Sequence, residues 1–231
     1  METRRRVSIF IPAYNEVLNL AEAIKDVADA AEAVLDDYEI LLVNDGSTDG
    51  TRELADQLTQ EHPKLRVLHQ PRNLGIMVAY SRALDEAKLD YFSFLPADRE
   101  VSATSIKAIF AAVGSADIVV PYHANPEARP RHRRILTGGY TWLVNLAFGF
   151  DVRYYQGPCI YPTALARALP RDGGFYFPTV MLVHALRRGT GHVEVGLMHQ
   201  EREHGTSKAV SIRNVAEAVA TIGRLWWRIH V

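Results

Sequence analysis

The sequence predicts an α/β protein: a mostly parallel sheet flanked by helices, ending in a C-terminal amphipathic helix. Two observations predict the sheet. Apolar runs of strand length alternate with helical periodicity through the first half of the chain, the βαβαβ rhythm of parallel strands between helices. Polar, acidic or glycine-bearing turns follow those runs, at the strand ends where open α/β sheets bind ligands. The third observation concerns the end of the chain, where Ile212, Val215, Val219, Ile222, Trp226 and Ile229 recur at helical spacing.

The first strand is Val7 to Ile11, followed by Pro12-Ala13-Tyr14-Asn15-Glu16 and a helix from Leu18 to Leu35. Tyr38 to Val43 is the second strand. It leads into Asn44-Asp45-Gly46-Ser47-Thr48-Asp49-Gly50, where the glycines permit sharp turns and Ser47, Thr48 or Asp49 can cap the next helix, which runs to Glu61. By itself this is also an ordinary loop-and-cap sequence. Leu65 to His69 is strand three, and Asn73-Leu74-Gly75 opens a helix through Ala87. Tyr91 to Leu95 is strand four, running into Pro96-Ala97-Asp98-Arg99-Glu100; a helix from Ser102 to Val113 and a fifth strand, Asp117 to Val120, follow.

The second half differs. Residues 125–134 read as a polar loop carrying Arg129, Arg131, Arg133 and Arg134. An aromatic-rich helix from Ile135 to Phe148, a helix from Phe177 to Arg188, a strand from His192 to Leu197, a loop over 201–207 and a last helix from about Ala209 complete the chain. No composition break divides it, so one domain is expected over 1–231, with residues 7–120 as one half and 121–231 as the other.

Bulk properties narrow the function. A formal net charge of -1 argues against a dedicated nucleic-acid binder. The single cysteine, Cys159, excludes an intrachain disulfide and a cysteine-based zinc cluster, and reads as a packed residue. The basic N-terminus leads straight into a motif without a signal h-region, and the longest uncharged stretch, 135–150, is short of the ~20 residues that cross a bilayer. A cytoplasmic protein is expected.

Five motifs stand in order: Ile11-Pro12-Ala13-Tyr14-Asn15-Glu16, Val43 to Asp49, Asn73-Leu74-Gly75, Pro96-Ala97-Asp98, and Arg202-Glu203-His204-Gly205-Thr206-Ser207-Lys208. Together they resemble the family-2 glycosyltransferases of the GT-A fold, and the last resembles the polyprenyl-phosphate (dolichol-phosphate) sugar transferase branch. The resemblance implies an inverting transferase that takes a nucleoside-diphosphate sugar, held by Pro12, Tyr14, Glu16, Asp45, Ser47, Asn73, Gly75 and Asp98. It implies a divalent cation, Mg²⁺ or Mn²⁺, on Asp98 and Glu100, compensating diphosphate charge. It places Asp98, Arg131 and Arg202 in catalysis. Arg129, Arg131, Arg133, Arg134, Ser207 and Lys208 would hold a lipid-phosphate acceptor and the leaving group, arginine being suited to bidentate phosphate contact.

Plain alternatives stand beside these roles. Glu16 could favour a helix dipole, Asp98 and Glu100 could cap the helix near Ser102, and the arginines could be a solvated loop. The chain also departs from the family. Pro96 replaces the first acid of Asp-x-Asp, and Tyr154 and Val180 stand where the branch often has acids, leaving Asp151 as the nearest one. A hydroxyl acceptor needs a general base, whereas a phosphate monoester, with a second pKa near ~6, is already anionic. The missing acids favour a phosphate acceptor or signal lost activity. A soluble hydroxyl acceptor and a non-catalytic nucleotide-sugar-binding protein remain open. Finally, Tyr140, Trp142, Leu143, Leu146 and Phe148 beside the arginines, and Arg224 to Arg228 with its two tryptophans, suit either peripheral contact with a membrane or packing on the sheet.

Overall fold

The computed structural model describes residues 4–172, 174–200 and 212–230, excluding the side chains of 212–216 and 230. The first half follows the predicted alternation: β1 (Arg6–Ala13), α1 (Leu20–Val34), β2 (Asp37–Asn44), α2 (Thr51–Glu61), β3 (Leu65–His69), α3 (Ile76–Glu86), β4 (Tyr91–Phe94), α4 (Ala103–Ala111) and β5 (Ile118–His123). After it come α5 (Arg131–Phe148), β6 (Ile160–Pro162), α6 (Thr163–Ala168), α7 (Phe177–Arg187), β7 (His192–Leu197) and α8 (Ile212–His230). The strands form one sheet in the order β3-β2-β1-β4-β6-β5-β7.

Alternation along β1 sorts the two faces, since successive side chains of a strand point to opposite sides. Val7, Ile9 and Ile11 pack in one layer with Leu20, Ile24 and Val27 of α1, Leu58 of α2, and Ile106 and Phe110 of α4. Phe10 points the other way, into a layer built from α3, α5, α6, α7 and α8. There it lies parallel to Phe92 at 6.4 Å, and Tyr80 meets Phe92 edge-on at 5.2 Å.

Sequence periodicity does not find β6 and α6. A three-residue strand and a six-residue helix are shorter than any window in which a period can register. Yet β6 has a large consequence. It pairs antiparallel with both β4 and β5, so β5 and its parallel partner β7 run in the same sense as β1 to β4. The carboxyl ends of all six parallel strands therefore lie along one edge.

Two expectations need correction. The basic run is not all loop: after a 3-10 turn at Pro126–Ala128, Arg131, Arg133 and Arg134 stand in the first turn of α5. Pro130, directly before that turn, lacks only an N–H that a helix start leaves unpaired anyway, so it begins the helix rather than breaking it. The inward stripe of α8 also differs from the predicted one. Ala218, Thr221, Ile222 and Leu225 are buried, while Val219, Trp226 and Trp227 are exposed.

Cys159 is buried, and burial pushes its thiol up to about 12, as befits a packed residue. Gly46 has φ +72°, and a Cβ there would stand 2.3 Å from the Arg72 carbonyl carbon. Gly46→Ala should therefore cost about 2–4 kcal/mol in thermal or denaturant unfolding, combining a left-handed backbone with a clash against main chain. At Gly50, with φ +93° and a Cβ meeting only the Val17 side chain at an ordinary 3.7 Å, alanine should cost only about 1 kcal/mol.

Candidate functional site

At the carboxyl ends of β1, β2 and β3 the loops are stitched into one piece. Asn15, itself at φ +58°, donates its N–H to Ser47 Oγ at 3.0 Å, and its Oδ1 accepts from the Thr48 N–H at 2.9 Å. Glu16 N–H donates to Thr51 Oγ1 (2.9 Å) and Val17 N–H to Asp49 Oδ2 (3.2 Å). Ser47, Thr48 and Asp49 do not cap α2, because Gly50 holds the cap position; Asp49, one residue earlier, accepts from the Thr51 N–H. Glu16 Oε2 accepts from Asn19 Nδ2 at 2.9 Å.

Asp45 is buried and fully engaged. Its Oδ1 accepts from Leu74 N–H (2.7 Å) and Gln70 Nε2 (2.9 Å), and its Oδ2 from Gly75 N–H (2.9 Å). The carboxylate thus fastens Asn73-Leu74-Gly75 to the end of β2. Of the predicted donor-site residues, Tyr14 and Asn73 are exposed along this edge, Pro12, Glu16, Ser47 and Gly75 are half-buried, and Asp45 lies beneath them.

The loop after β4 carries Asp98 and Glu100, both half-buried, with Glu100 N–H donating to Asp98 Oδ1 at 3.1 Å. Neither is needed to cap α4, because Ser102 holds that position and its Oγ accepts from the Ser105 N–H. The segment instead pairs with the chain after β7: Gln200 N–H donates to the Glu100 carbonyl (3.0 Å), and Val101 bridges His199. Two carboxylates are hard oxygen donors that fit Mg²⁺ or Mn²⁺ rather than a soft metal. No cluster of three His, Cys, Asp or Glu stands together among the described residues.

Beyond β5 lies a group that the sequence does not announce. His123 ends the strand, its ring 4.6 Å from Tyr154 and edge-on to His199 at 5.8 Å. Asn125 clamps His199 by accepting its N–H (2.7 Å) and donating to its carbonyl (2.9 Å). Among the described residues, both ring nitrogens of His123 and Nε of Arg129 are buried without a hydrogen-bond partner. Burial, with Arg129 and His199 adding to it, pushes His123 down to about 3 and keeps it neutral. The available signal was positional: two histidines at the ends of two strands, which the sheet makes neighbours. Arg131 and Arg134 are exposed on the first turn of α5, and Arg133 is half-buried. Arg202, Ser207 and Lys208 lie outside the described residues.

Where the family often has acids, Val180 is 2% exposed in the core of α7, and Asp151 is exposed on the surface. The nearby polar network is closed: Tyr140 donates to Thr179 Oγ1 (2.8 Å), as does Gln156 Nε2 (2.5 Å).

An open α/β sheet of this kind places its ligand-binding loops along the carboxyl edge, and comparison with known proteins names the family. The chain matches Glycosyl transferase family 2 over residues 8–167 and belongs to that family. It is 28% identical to the glycosyltransferase AglD of Haloferax volcanii over 97% of this chain, but spans only 38% of that protein's length. It is 28% identical to the undecaprenyl-phosphate mannosyltransferase of Micrococcus luteus over 95% of this chain and 93% of that protein. Over 58% of this chain it is 30% identical to the dolichol-phosphate mannosyltransferase of Pyrococcus furiosus. The fold is GT-A: glucosyl-3-phosphoglycerate synthase from Mycobacterium tuberculosis, crystallised in complex with Mg²⁺ and UDP, superposes with a TM-score of 0.70 at 17% identity, covering 96% of this chain and 80% of that one.

The depressed His123 has a pH consequence. An unfolded histidine gains its proton as pH falls through ~6.5, whereas the folded one stays neutral to about 3, so stability falls with pH across that window. His184, also lowered mainly by burial, acts in the same direction. His123→Gln should flatten the loss of melting temperature on acidification below pH ~6.5.

Proposed function

We propose that the chain transfers a sugar, with inversion, from a nucleoside-diphosphate sugar to a polyprenyl phosphate. The observation that carries the acceptor is the first turn of α5. Three arginines there stand at the positive end of an 18-residue helix, an end that favours a bound anion. The turn follows β5, along the same edge as the loops after β1 to β4. Arginine forks would position the acceptor phosphate, which is anionic already and attacks without a general base. That agrees with Val180, whose core position could accept a carboxylate only at a desolvation cost.

On the donor side, Tyr14, Asn73 and the backbone of the stitched loops would contact base and ribose, with Glu16 and Ser47 at their margin. Asp45 would act chiefly by holding the loop that makes the contact. Asp98 and Glu100 would hold a divalent cation, whose chemistry is to neutralise the charge developing on the leaving diphosphate. Arg131 would neutralise negative charge on the transferring groups from the opposite side, with Arg129 and Arg133 nearby and Arg134 at the rim. By the resemblance alone, Arg202, Ser207 and Lys208 would add to this cationic surround.

An acceptor in a bilayer requires contact with the membrane surface. Ile135 (66% exposed), Trp142 (64%) and Leu146 (66%) recur along one face of α5 that begins at Arg131. Of the two alternatives left open for Tyr140, Leu143 and Phe148, membrane contact or packing on the sheet, they take the second and pack inward. On α8, Trp226, Trp227, Arg224 and Arg228 are exposed. Apolar side chains flanked by arginines suit an anionic bilayer at headgroup depth. No helix among the described residues is long and apolar enough to cross a membrane.

Calorimetric titration with UDP, GDP, dTDP and CDP, with and without Mn²⁺, should find one diphosphate whose binding Mn²⁺ tightens. Asp98→Ala should lose about tenfold or more of that affinity. Binding indifferent to both metal and Asp98 would overturn the metal site, and no binding would overturn the donor reading. In sedimentation, the protein should bind vesicles containing phosphatidylglycerol more than neutral ones, less so as salt rises, and Trp142→Ala with Leu146→Ala should weaken it. Equal sedimentation of the unaltered and doubly substituted proteins would remove α5 from the contact.

A further inference from the structure

The loop that carries Asp98 and Glu100 is held in an unusual backbone conformation by a residue far away in sequence. Arg99, between the two carboxylates, has φ +56°; it and Asn15 are the only non-glycine residues with positive φ among those described. A side chain there crowds its own backbone, so the conformation persists only where the surroundings over-determine it. Two contacts do so. Arg99 Nε donates to Asp26 Oδ2 of α1 at 3.0 Å, and the Arg99 carbonyl accepts from Gln200 Nε2 at 2.7 Å. The arginine and aspartate side chains are 19% and 21% exposed, so solvent screens this pair less than a surface ion pair. Asp26 is well placed for this work, because α1 packs on both the sheet and α4.

We propose that Asp26 is a positioning residue for the metal site: through Arg99 it holds the left-handed turn that sets where the Asp98 and Glu100 carboxylates stand. Were Arg99 to relax to negative φ, the peptides on either side would rotate and the two carboxylates would separate from their present arrangement. The consequence is larger here than with a full Asp-x-Asp, because Pro96 contributes no ligand and the site depends on two carboxylates already in place. This inference rests on the metal reading of Asp98 and Glu100 given above.

The test is a pair of substitutions read by Mn²⁺ binding, not by turnover. MnCl₂ is titrated into the full chain with UDP, or whichever of the four diphosphates binds, and bound Mn²⁺ is followed by calorimetry and electron paramagnetic resonance. Melting of the metal-free protein is the control for folding. Asp26→Ala should weaken Mn²⁺ about tenfold. Arg99→Gly, which adopts positive φ without strain, should largely keep the affinity, and Asp26→Ala added to Arg99→Gly should cost little more. Asp26→Asn, which preserves shape, should fall between and guards against a fold defect in the alanine variant. Unchanged affinity in Asp26→Ala, or an equal loss with and without Arg99→Gly, would overturn the positioning role while leaving the metal site intact. Failure of the unaltered chain to bind Mn²⁺ with any diphosphate would overturn the metal reading, and this inference with it.

Discussion

The buried carboxylate of Asp45 is the contact on which the loop edge after β1, β2 and β3 depends. A buried carboxylate is costly unless hydrogen bonds replace its lost water, and here two backbone N–H groups and a glutamine amide do so. The same bonds fix the Asn73–Gly75 loop against the end of β2. Gly46 completes the seam, because only a residue without Cβ lets the Arg72–Asn73 backbone approach so closely. With Asn15, Glu16 and Val17 bonded across to Ser47, Thr48, Thr51 and Asp49, the loops after β1, β2 and β3 form one preorganised surface. Binding to such a surface spends little free energy on ordering loops.

The other side of the edge is organised by charge rather than by stitching. In the proposed reading, two carboxylates after β4 would meet a diphosphate through a cation, and arginines on the first turn of α5 would meet an anionic group directly. His123 and Arg129 sit between these groups with buried nitrogens unpaired among the described residues, so this region is less well satisfied than the donor floor. A neutral imidazole also avoids adding a positive charge beside Arg129.

The departures from the family pattern acquire a physical meaning in the structure. Val180 belongs to the apolar layer between α7 and the sheet, and Tyr154 packs on His123, so neither position is an open socket awaiting an acid. Chemistry that needs no protein base is compatible with that interior. The apolar face of α5 divides similarly. Tyr140, Leu143 and Phe148 seal the core, while Ile135, Trp142 and Leu146 remain on the outside.

The sequence by itself determined the βαβ alternation, the strand and loop that each of the first four motifs occupies, and the family. These are local properties: apolar runs, periodicity, glycine at turns, and residue types in a fixed order. It also located His192–Leu197 as a strand, though not what it pairs with. Only the tertiary structure decided that β6 is antiparallel, and this reversal carries the ends of β5 and β7 to the donor edge, bringing His123 beside His199. It decided that Asp45 works from below the surface, that the arginines begin a helix, and that Asp26 reaches Arg99 across 73 positions of sequence. None of these has a local signature, because each depends on which strands become neighbours and which side chains then lose their water.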